Sequence, residues 1–275
     1  MANAPKPTTA KKESSGSSIF ASLTIVICVI VGILIWKFIM GNPANFEGGD
    51  PVHGHPLPEN YFGMVYKGGI IVPILIGMLL MVIVFSIERF FVISKAAGTG
   101  NVDAFVKKVQ VQLASSNIEA AIAECDKQKG SVANVIKSGL KKYREVEPDQ
   151  AMDTEQKCLA IQKDIEEATA LEMPMLEQNL TVIATLVSVG TLMGLLGTVT
   201  GMIKAFAALA TAGAPDQAQL ANGISEALIN TATGILTSTL AVIMYNVFTS
   251  KIDKLTYSID EAGFSIVQTY ASTHK

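Results

Sequence analysis

Residues 180–211 read LTVIATLVSVGTLMGLLGTVTGMIKAFAALAT, and residues 220–249 read LANGISEALINTATGILTSTLAVIMYNVFT. Each stretch is longer than the roughly 20 apolar residues that cross a bilayer, and small and hydroxyl-bearing residues recur along both at helical spacing. A core helix of a soluble protein seldom runs this far without a charged face. The two stretches therefore predict a pair of membrane helices joined by a turn at residues 212–219.

Two further apolar runs, residues 69–93 and residues 19–40, raise the number of predicted spans to four. The run at residues 19–40 is longer than the apolar core of a signal peptide, which is about 7 to 15 residues long. We interpret it as an additional transmembrane helix. The whole chain is 49% hydrophobic and only 16% charged. We predict an all-α polytopic membrane protein with four transmembrane helices, two of which are long and extend into a helical cytoplasmic region.

Basic residues predict the orientation of the spans. Residues 42–66 contain no Lys or Arg, whereas the N-terminus and the segments after the second and fourth spans are basic. The positive-inside rule therefore places both termini in the cytoplasm. The predicted organisation is a disordered N-terminus at 1–18, a periplasmic loop at 41–68, a helical cytoplasmic domain at 94–179 and a cytoplasmic C-terminal helix at 250–275.

The cytoplasmic domain shows a helical pattern from about residue 150 that continues into the third span. No turn signal separates the two, so we predict one long helix, which Pro174 bends without ending. Cys125 and Cys158 face the reducing cytoplasm and Cys28 lies in the membrane, so no disulfide is expected.

One ionisable residue stands in the body of each of the last two spans, Lys204 and Glu226. Measured from Pro215 in the turn, each lies about 11 residues away, which places them at similar depth in the membrane. Intramembrane charges are costly and are functional candidates. An ion pair between them is one hypothesis, and Glu226 as a group of a proton pathway is another. The alternative is that Lys204 extends to the outer surface and Glu226 bonds helix ends.

Two threonines share another depth. Thr198 lies about 17 residues before Pro215 and Thr231 about 16 after it, so their hydroxyls can form one ring in an oligomer. Such a ring offers donors and acceptors to water or to a partner carboxyl, which makes both residues candidates for the proton pathway or pore lining. The alternative is that each hydroxyl bonds the carbonyl four residues earlier in its own helix.

Glycines form a stripe along the third span at spacings of 4, 3 and 4. Small residues let helix backbones approach closely, so we assign this stripe to helix packing and not to conduction. The residues assigned to packing are Gly190, Gly194, Gly197 and Gly201, together with Gly234 of the fourth span.

The stretch GLLGTVTGMI at 194–203 and the stretch GISEAL at 223–228 stand in order on consecutive predicted spans. With the TATG at 231–234 they closely resemble the MotA/TolQ/ExbB proton-channel family, and ExbB most of all. The resemblance covers roughly residues 69–255. The family often has proline where Thr191 and Leu240 stand, so the corresponding helix bends are not expected here.

The resemblance implies a homo-pentamer that encloses a single-span, ExbD-like partner whose membrane aspartate carries the proton. It further implies a multi-pass protein of the bacterial inner membrane, surrounded by lipid, that energises a TonB-like protein and so drives transport across the outer membrane. A TolQ-like subunit of the Tol-Pal system and a non-conducting scaffold are the alternatives.

Other classes of function find little support. We expect no enzyme and no cofactor, because the sequence has no nucleophile with a base and no phosphate loop, and we expect no nucleic-acid partner. His53 and His55 without a third ligand are more typical of a solvated loop than of a metal site.

Overall fold

The computed structural model describes residues 14–51, 54–210 and 217–274, with side chains from Ile19 onward, and all regular elements in these ranges are helical. Four segments of the described chain are long and apolar enough to cross a membrane. The predicted all-α architecture with four spans is therefore confirmed. The α-helices of the described residues are α1 Ser14–Leu34, α2 Tyr61–Tyr66, α3 Val72–Ala97, α4 Val102–Ala114, α5 Ile118–Gln128, α6 Gly130–Val146, α7 Thr154–Glu177, α8 Leu180–Ala210 and α9 Gln217–Thr273.

The chain divides into two compact units. The first comprises the described parts of Met1–Ile83 and Thr185–Leu240, and the second comprises Val84–Ala184 and the described part of Ala241–Lys275. Helices α3, α8 and α9 contribute residues to both units. Both residue pairs predicted at equal depth belong to the first unit. The predicted turn and its Pro215 lie largely outside the described residues, as does His53.

Helix α1 begins at Ser14, so the last residues of the stretch predicted to be disordered are helical; residues 1–13 lie outside the described ranges. The helix packs on the start of α3 through two glycines. A side chain at Gly32 would lie 2.6 Å from the carbonyl oxygen of Pro73 and 2.8 Å from the backbone nitrogen of Gly77. The two backbones are in direct contact, so α1 is a packing helix of the first unit.

The segment between α1 and α3 folds back onto the end of the first span. Residues Ile35–Met40 continue α1 as a π-helix, and the ring of Trp36 stacks on that of Tyr66 at 4.7 Å between centroids. The amide nitrogen of Asn45 donates to the carbonyls of Ile39 and Met40, each at 2.9 Å, which satisfies acceptors left free where the helix ends. Apart from α2 and three short 3-10 turns, Pro43–Asn45, Glu47–Gly49 and Gly69–Ile71, the rest of the described segment is irregular.

The second unit packs α4 to α7 and the C-terminal part of α9 around an apolar core. Side-chain caps start three of these helices: Asn101 caps α4, Asn117 caps α5, and Asp153 forms a capping box with Gln156 at α7. The core residues include Val109, Val135, Leu140, Ile161, Ile259 and Ile266.

The cysteines of the chain are free thiols. Burial in the core of the second unit raises the pKa of Cys125 to about 12. Burial, and then the nearby charge of Glu155, raises the pKa of Cys158. Cys28 is buried in α1.

The predicted continuous helix into the third span is wrong. Helix α7 ends at Glu177, Gln178 has an extended ψ of 141°, and Asn179 has a φ of +62° before α8 begins. Asparagine tolerates this left-handed conformation better than most residues because its short side chain forms local hydrogen bonds. Pro174 lies inside α7 and does not end it, as predicted.

Arg89 stabilises the break between α7 and α8. Its side chain is 1% exposed, and Nη1 donates to the carbonyls of Met175 at 3.2 Å and Leu176 at 3.1 Å. Its Nε donates to the Glu88 carboxylate at 2.6 Å, and that carboxylate also accepts from Asn179 at 3.4 Å. The last carbonyls of a helix have no partner within the helix, so the guanidinium supplies the cap that α7 lacks.

We expect Arg89→Met to lower the free energy of unfolding by about 2 to 4 kcal/mol. Methionine keeps the aliphatic part of the side chain but removes the donor to the carbonyls of Met175 and Leu176, and it leaves the Glu88 carboxylate with only the 3.4 Å contact from Asn179. Denaturant unfolding of the purified protein in detergent measures the loss, and hydrogen exchange at the start of α8 locates it.

The matched control is Arg144→Met. Arg144 pairs with Glu119 at 2.6 Å, but both side chains are more than half exposed, so the loss there is within about 0.5 kcal/mol. Equal losses in the two variants would contradict the role assigned to Arg89.

Candidate functional site

Helices α8 and α9 lie backbone against backbone in the first unit. A side chain at Gly201 would lie 2.7 Å from the nitrogen of Ala227, and one at Gly234 would lie 2.7 Å from the oxygen of Gly190. The five glycines assigned to packing all face the partner helix of the pair: Gly190 meets Ser238, Gly194 meets Gly234, Gly197 meets Asn230, and Gly201 meets Ala227. The packing therefore occurs within one chain, and short polar side chains can reach across it.

The hydroxyls of Thr198 and Thr231 are in direct hydrogen-bond contact across this interface, and both residues are half-buried. Each hydroxyl also lies near the carbonyl four residues earlier, Gly194 at 3.2 Å from Thr198 and Ala227 at 3.2 Å from Thr231. The intrahelical bonds of the alternative interpretation are therefore present, and the two hydroxyls also contact each other; their role in a proton pathway or pore lining stays a prediction. The pair has two protons and accepts through four lone pairs, so it keeps spare acceptors for a donor from outside.

Lys204 and Glu226 also meet, with Nζ 2.5 Å from Oε1. The Lys204 side chain is 57% exposed and that of Glu226 12% exposed, so the carboxylate is the enclosed partner. The carboxylate lies against the backbone of Gly69, where φ is +81° and a side chain would collide with it. The pair therefore links α8 and α9 to the residues that precede α3.

The candidate residues separate into two groups. Thr231 contacts Thr198 and the carbonyl of Gly194, whereas Glu226 contacts Lys204 and Gly69. Thr231 lies five residues after Glu226, which turns it some 140° around the helix. Thr198 therefore contacts Thr231, and Lys204 contacts Glu226, but Glu226 does not contact the two threonines.

Sequence reasoning missed two polar contacts here. Thr191 Oγ1 lies 2.8 Å from Ser238 Oγ, and the Asn230 amide donates to the carbonyl of Gly68 at 2.9 Å. The first contact could have been predicted, because residues 191 and 238 lie about 24 and 23 residues from Pro215 and so share a depth. The second was not, because nothing in the sequence indicates that the segment before α3 contacts α9.

A double-mutant cycle tests the Lys204–Glu226 pair. We expect Glu226→Gln and Lys204→Met each to lower the melting temperature, and the double variant to lose less than the sum, with a coupling of about 1 kcal/mol because Lys204 is more than half exposed. Unfolding of the purified protein at low and high salt measures this coupling. Strictly additive losses would show that the two residues act independently.

The segment that contains these helices is similar to a known protein family. Residues 127–261, which include both pairs, match the MotA/TolQ/ExbB proton channel family. The Tol-Pal system protein TolQ of Pseudomonas aeruginosa is 32% identical over 124 residues, which are 45% of this chain and 54% of that protein.

Shorter similarities extend to other members. The biopolymer transport protein ExbB of Pseudomonas putida is 35% identical over 86 residues, 31% of this chain and 26% of that protein. The TolQ of Haemophilus influenzae is 43% identical over 75 residues, 27% of this chain and 33% of that protein. The chain thus spans about half the length of the first of these relatives and a third or less of the others. Together with the motifs on α8 and α9, these matches support an ExbB-like member of the MotA/TolQ/ExbB proton channel family.

Proposed function

We propose that this chain is the proton-channel subunit of an ExbB–ExbD motor of the bacterial inner membrane, which uses the proton gradient to energise TonB-dependent transport across the outer membrane. The observation that carries the proposal is the Thr198–Thr231 hydroxyl pair. It is half-buried, retains free acceptors and stands on the two helices that bear the family's motifs.

The ionisable residues of the spans favour a partner that supplies the proton carrier. Among residues 69–93, 180–210 and 217–249 the carboxylates are Glu88 and Glu226, and each is paired with a cation, Arg89 and Lys204 respectively. Each of these carboxylates is thus already engaged by a cation of this chain. A single-span, ExbD-like partner with a membrane aspartate would provide the missing group beside the hydroxyls.

The energy source sets what the complex can do. One proton that crosses under a potential of 100 mV releases about 2.3 kcal/mol, and coupled motion of the partner would use it. The proposal includes a homo-pentamer around the partner, surrounding lipid, and cytoplasmic N- and C-termini, in agreement with the distribution of basic residues. Through the partner, the complex would act on a TonB-like protein.

A TolQ-like subunit of a Tol-Pal system is the second candidate. The similarity to the Pseudomonas aeruginosa TolQ extends over 124 residues, compared with 86 for the Pseudomonas putida ExbB. Expression in cells that lack either ExbB or TolQ distinguishes the two: the first system reports on TonB-dependent uptake and the second on outer-membrane integrity.

We expect Thr198→Val and Thr231→Val to preserve assembly, because valine keeps the volume of threonine, and to abolish gradient-dependent work. Thr239→Val is the control, because Thr239 lies exposed on the same helix as Thr231. Partner co-purification measures assembly, and uptake in the complemented cells measures work. Full activity of the double variant would remove the hydroxyls from the pathway and favour a non-conducting scaffold.

A second experiment tests the need for a partner. We expect the purified chain in liposomes to conduct protons poorly until a single-span protein with a membrane aspartate is added, because both span carboxylates are already paired. A pH-sensitive dye inside the vesicles records the flux under an imposed potential. Equal flux with and without the partner would show that this chain carries a complete route alone.

A further inference from the structure

The second span begins at a break in the backbone. Gly68 precedes a single 3-10 turn at Gly69–Ile71, and α3 starts directly after that turn at Val72. Gly69 adopts a φ of +81°, which glycine accepts at no steric cost. Within a membrane protein, every backbone group freed by such a break needs a hydrogen-bond partner.

Asn230 of α9 supplies that partner. Its side chain is 0% exposed, and Nδ2 donates to the Gly68 carbonyl at 2.9 Å across 162 residues of sequence. A carbonyl oxygen only accepts hydrogen bonds, so this contact fixes which end of the amide faces Gly68. The other end, Oδ1, has no hydrogen-bond partner among the described residues.

Helix α8 is shaped to receive the same side chain. A Cβ atom at Gly197 would lie 2.6 Å from Cγ of Asn230 and 2.9 Å from its Nδ2. Gly197 is therefore glycine because the asparagine side chain occupies its place. Asn230, which belongs to α9, thus contacts both α8 and the segment before α3.

This point adjoins the hydroxyl pair along both helices. Thr198 follows Gly197 in α8, and Thr231 follows Asn230 in α9. A shift of either helix relative to the other at Asn230 moves the two hydroxyls apart, because they are one residue away on rigid helices. The direct contact between Thr198 and Thr231 needs the spacing that the packing of Asn230 against Gly197 sets.

Packing alone does not explain an amide here. A buried amide carries a desolvation cost, and one of its acceptors is left unpaired, whereas an apolar side chain would fill the same space without either cost. The contribution of asparagine is the directed hydrogen bond to Gly68.

We propose that Asn230 is a positioning residue of the proton pathway: its amide fixes the start of the second span against α8 and α9 and so holds Thr198 and Thr231 in hydrogen-bond contact. The inference rests on the proposed function. Asn230 does not carry the proton.

The test measures proton flux in liposomes that contain the complex of this chain with its co-purified partner. Asn230→Leu keeps the branched shape and the number of side-chain heavy atoms and removes the donor, and we expect flux to fall about tenfold while the complex stays assembled. Asn222→Leu makes the same change at an exposed position of the same helix and serves as the matched control.

Asn230→Asp provides a readout that a loss of packing would not move. The neutral acid can donate to the Gly68 carbonyl and the carboxylate cannot, so flux relative to the unsubstituted complex should recover at about pH 5 and fall at about pH 8. The neighbouring charged groups are Glu226, four residues earlier on α9, its partner Lys204 of α8, and Lys67 beside Gly68. All three are present in both complexes, and the unsubstituted complex is measured at both pH values as the reference. This variant also decides the matter if Asn230→Leu fails to assemble.

The outcomes separate the two proposals. An unsubstituted complex that conducts no protons overturns the proposed function and the role of Asn230 with it. A conducting complex whose Asn230→Leu variant conducts equally well, or whose Asn230→Asp variant keeps the same relative flux at both pH values, overturns the role of Asn230 alone.

Discussion

The direct contact between the backbones of α8 and α9 is the constraint on which the first unit depends. A threonine hydroxyl stands only one bond beyond Cβ, so two such groups meet across helices only where the helix axes lie close together. Glycines on α8 and Gly234 on α9 remove the side chains that would hold the axes apart. Glycine costs about 1 kcal/mol of helix propensity, which packing against the partner helix offsets.

Close antiparallel packing also accounts for which residues meet. With a common rise per residue, two residues equally far from the turn lie at one depth, and this rule holds for Thr198 with Thr231, for Lys204 with Glu226 and for Thr191 with Ser238. The sequence therefore predicted two of these three contacts, Thr198 with Thr231 and Lys204 with Glu226, as well as the helical class and the four spans. It needed only the position of the turn and the spacing of polar residues within apolar runs.

The remaining features depend on contacts between segments far apart in the chain. The end of α7 at Glu177 was not predicted, because Asn179 in a helical pattern gives a weaker stop signal than Pro174, and because the cap of this end comes from Arg89. The Asn230 contact with Gly68 was missed for the same reason. The break after α7 and the break before α3 are each stabilised by a buried side chain from another helix. Arg89 donates to the carbonyls at the end of α7, and Asn230 donates to the carbonyl of Gly68. Local sequence patterns do not encode such pairings, whereas the requirement to satisfy backbone groups explains them.

The state of the native thiols determines how this chain can be studied by spectroscopy. The nucleophile in maleimide and nitroxide labelling is the thiolate, and a pKa of about 12 leaves Cys125 almost wholly protonated at neutral pH. Cys158 has a raised pKa as well, and Cys28 is buried against its neighbours. Cysteines introduced at exposed positions would therefore react well ahead of the native ones. Distances between probes on α8 and α9 could thus be followed during energisation in a chain that keeps all its native cysteines.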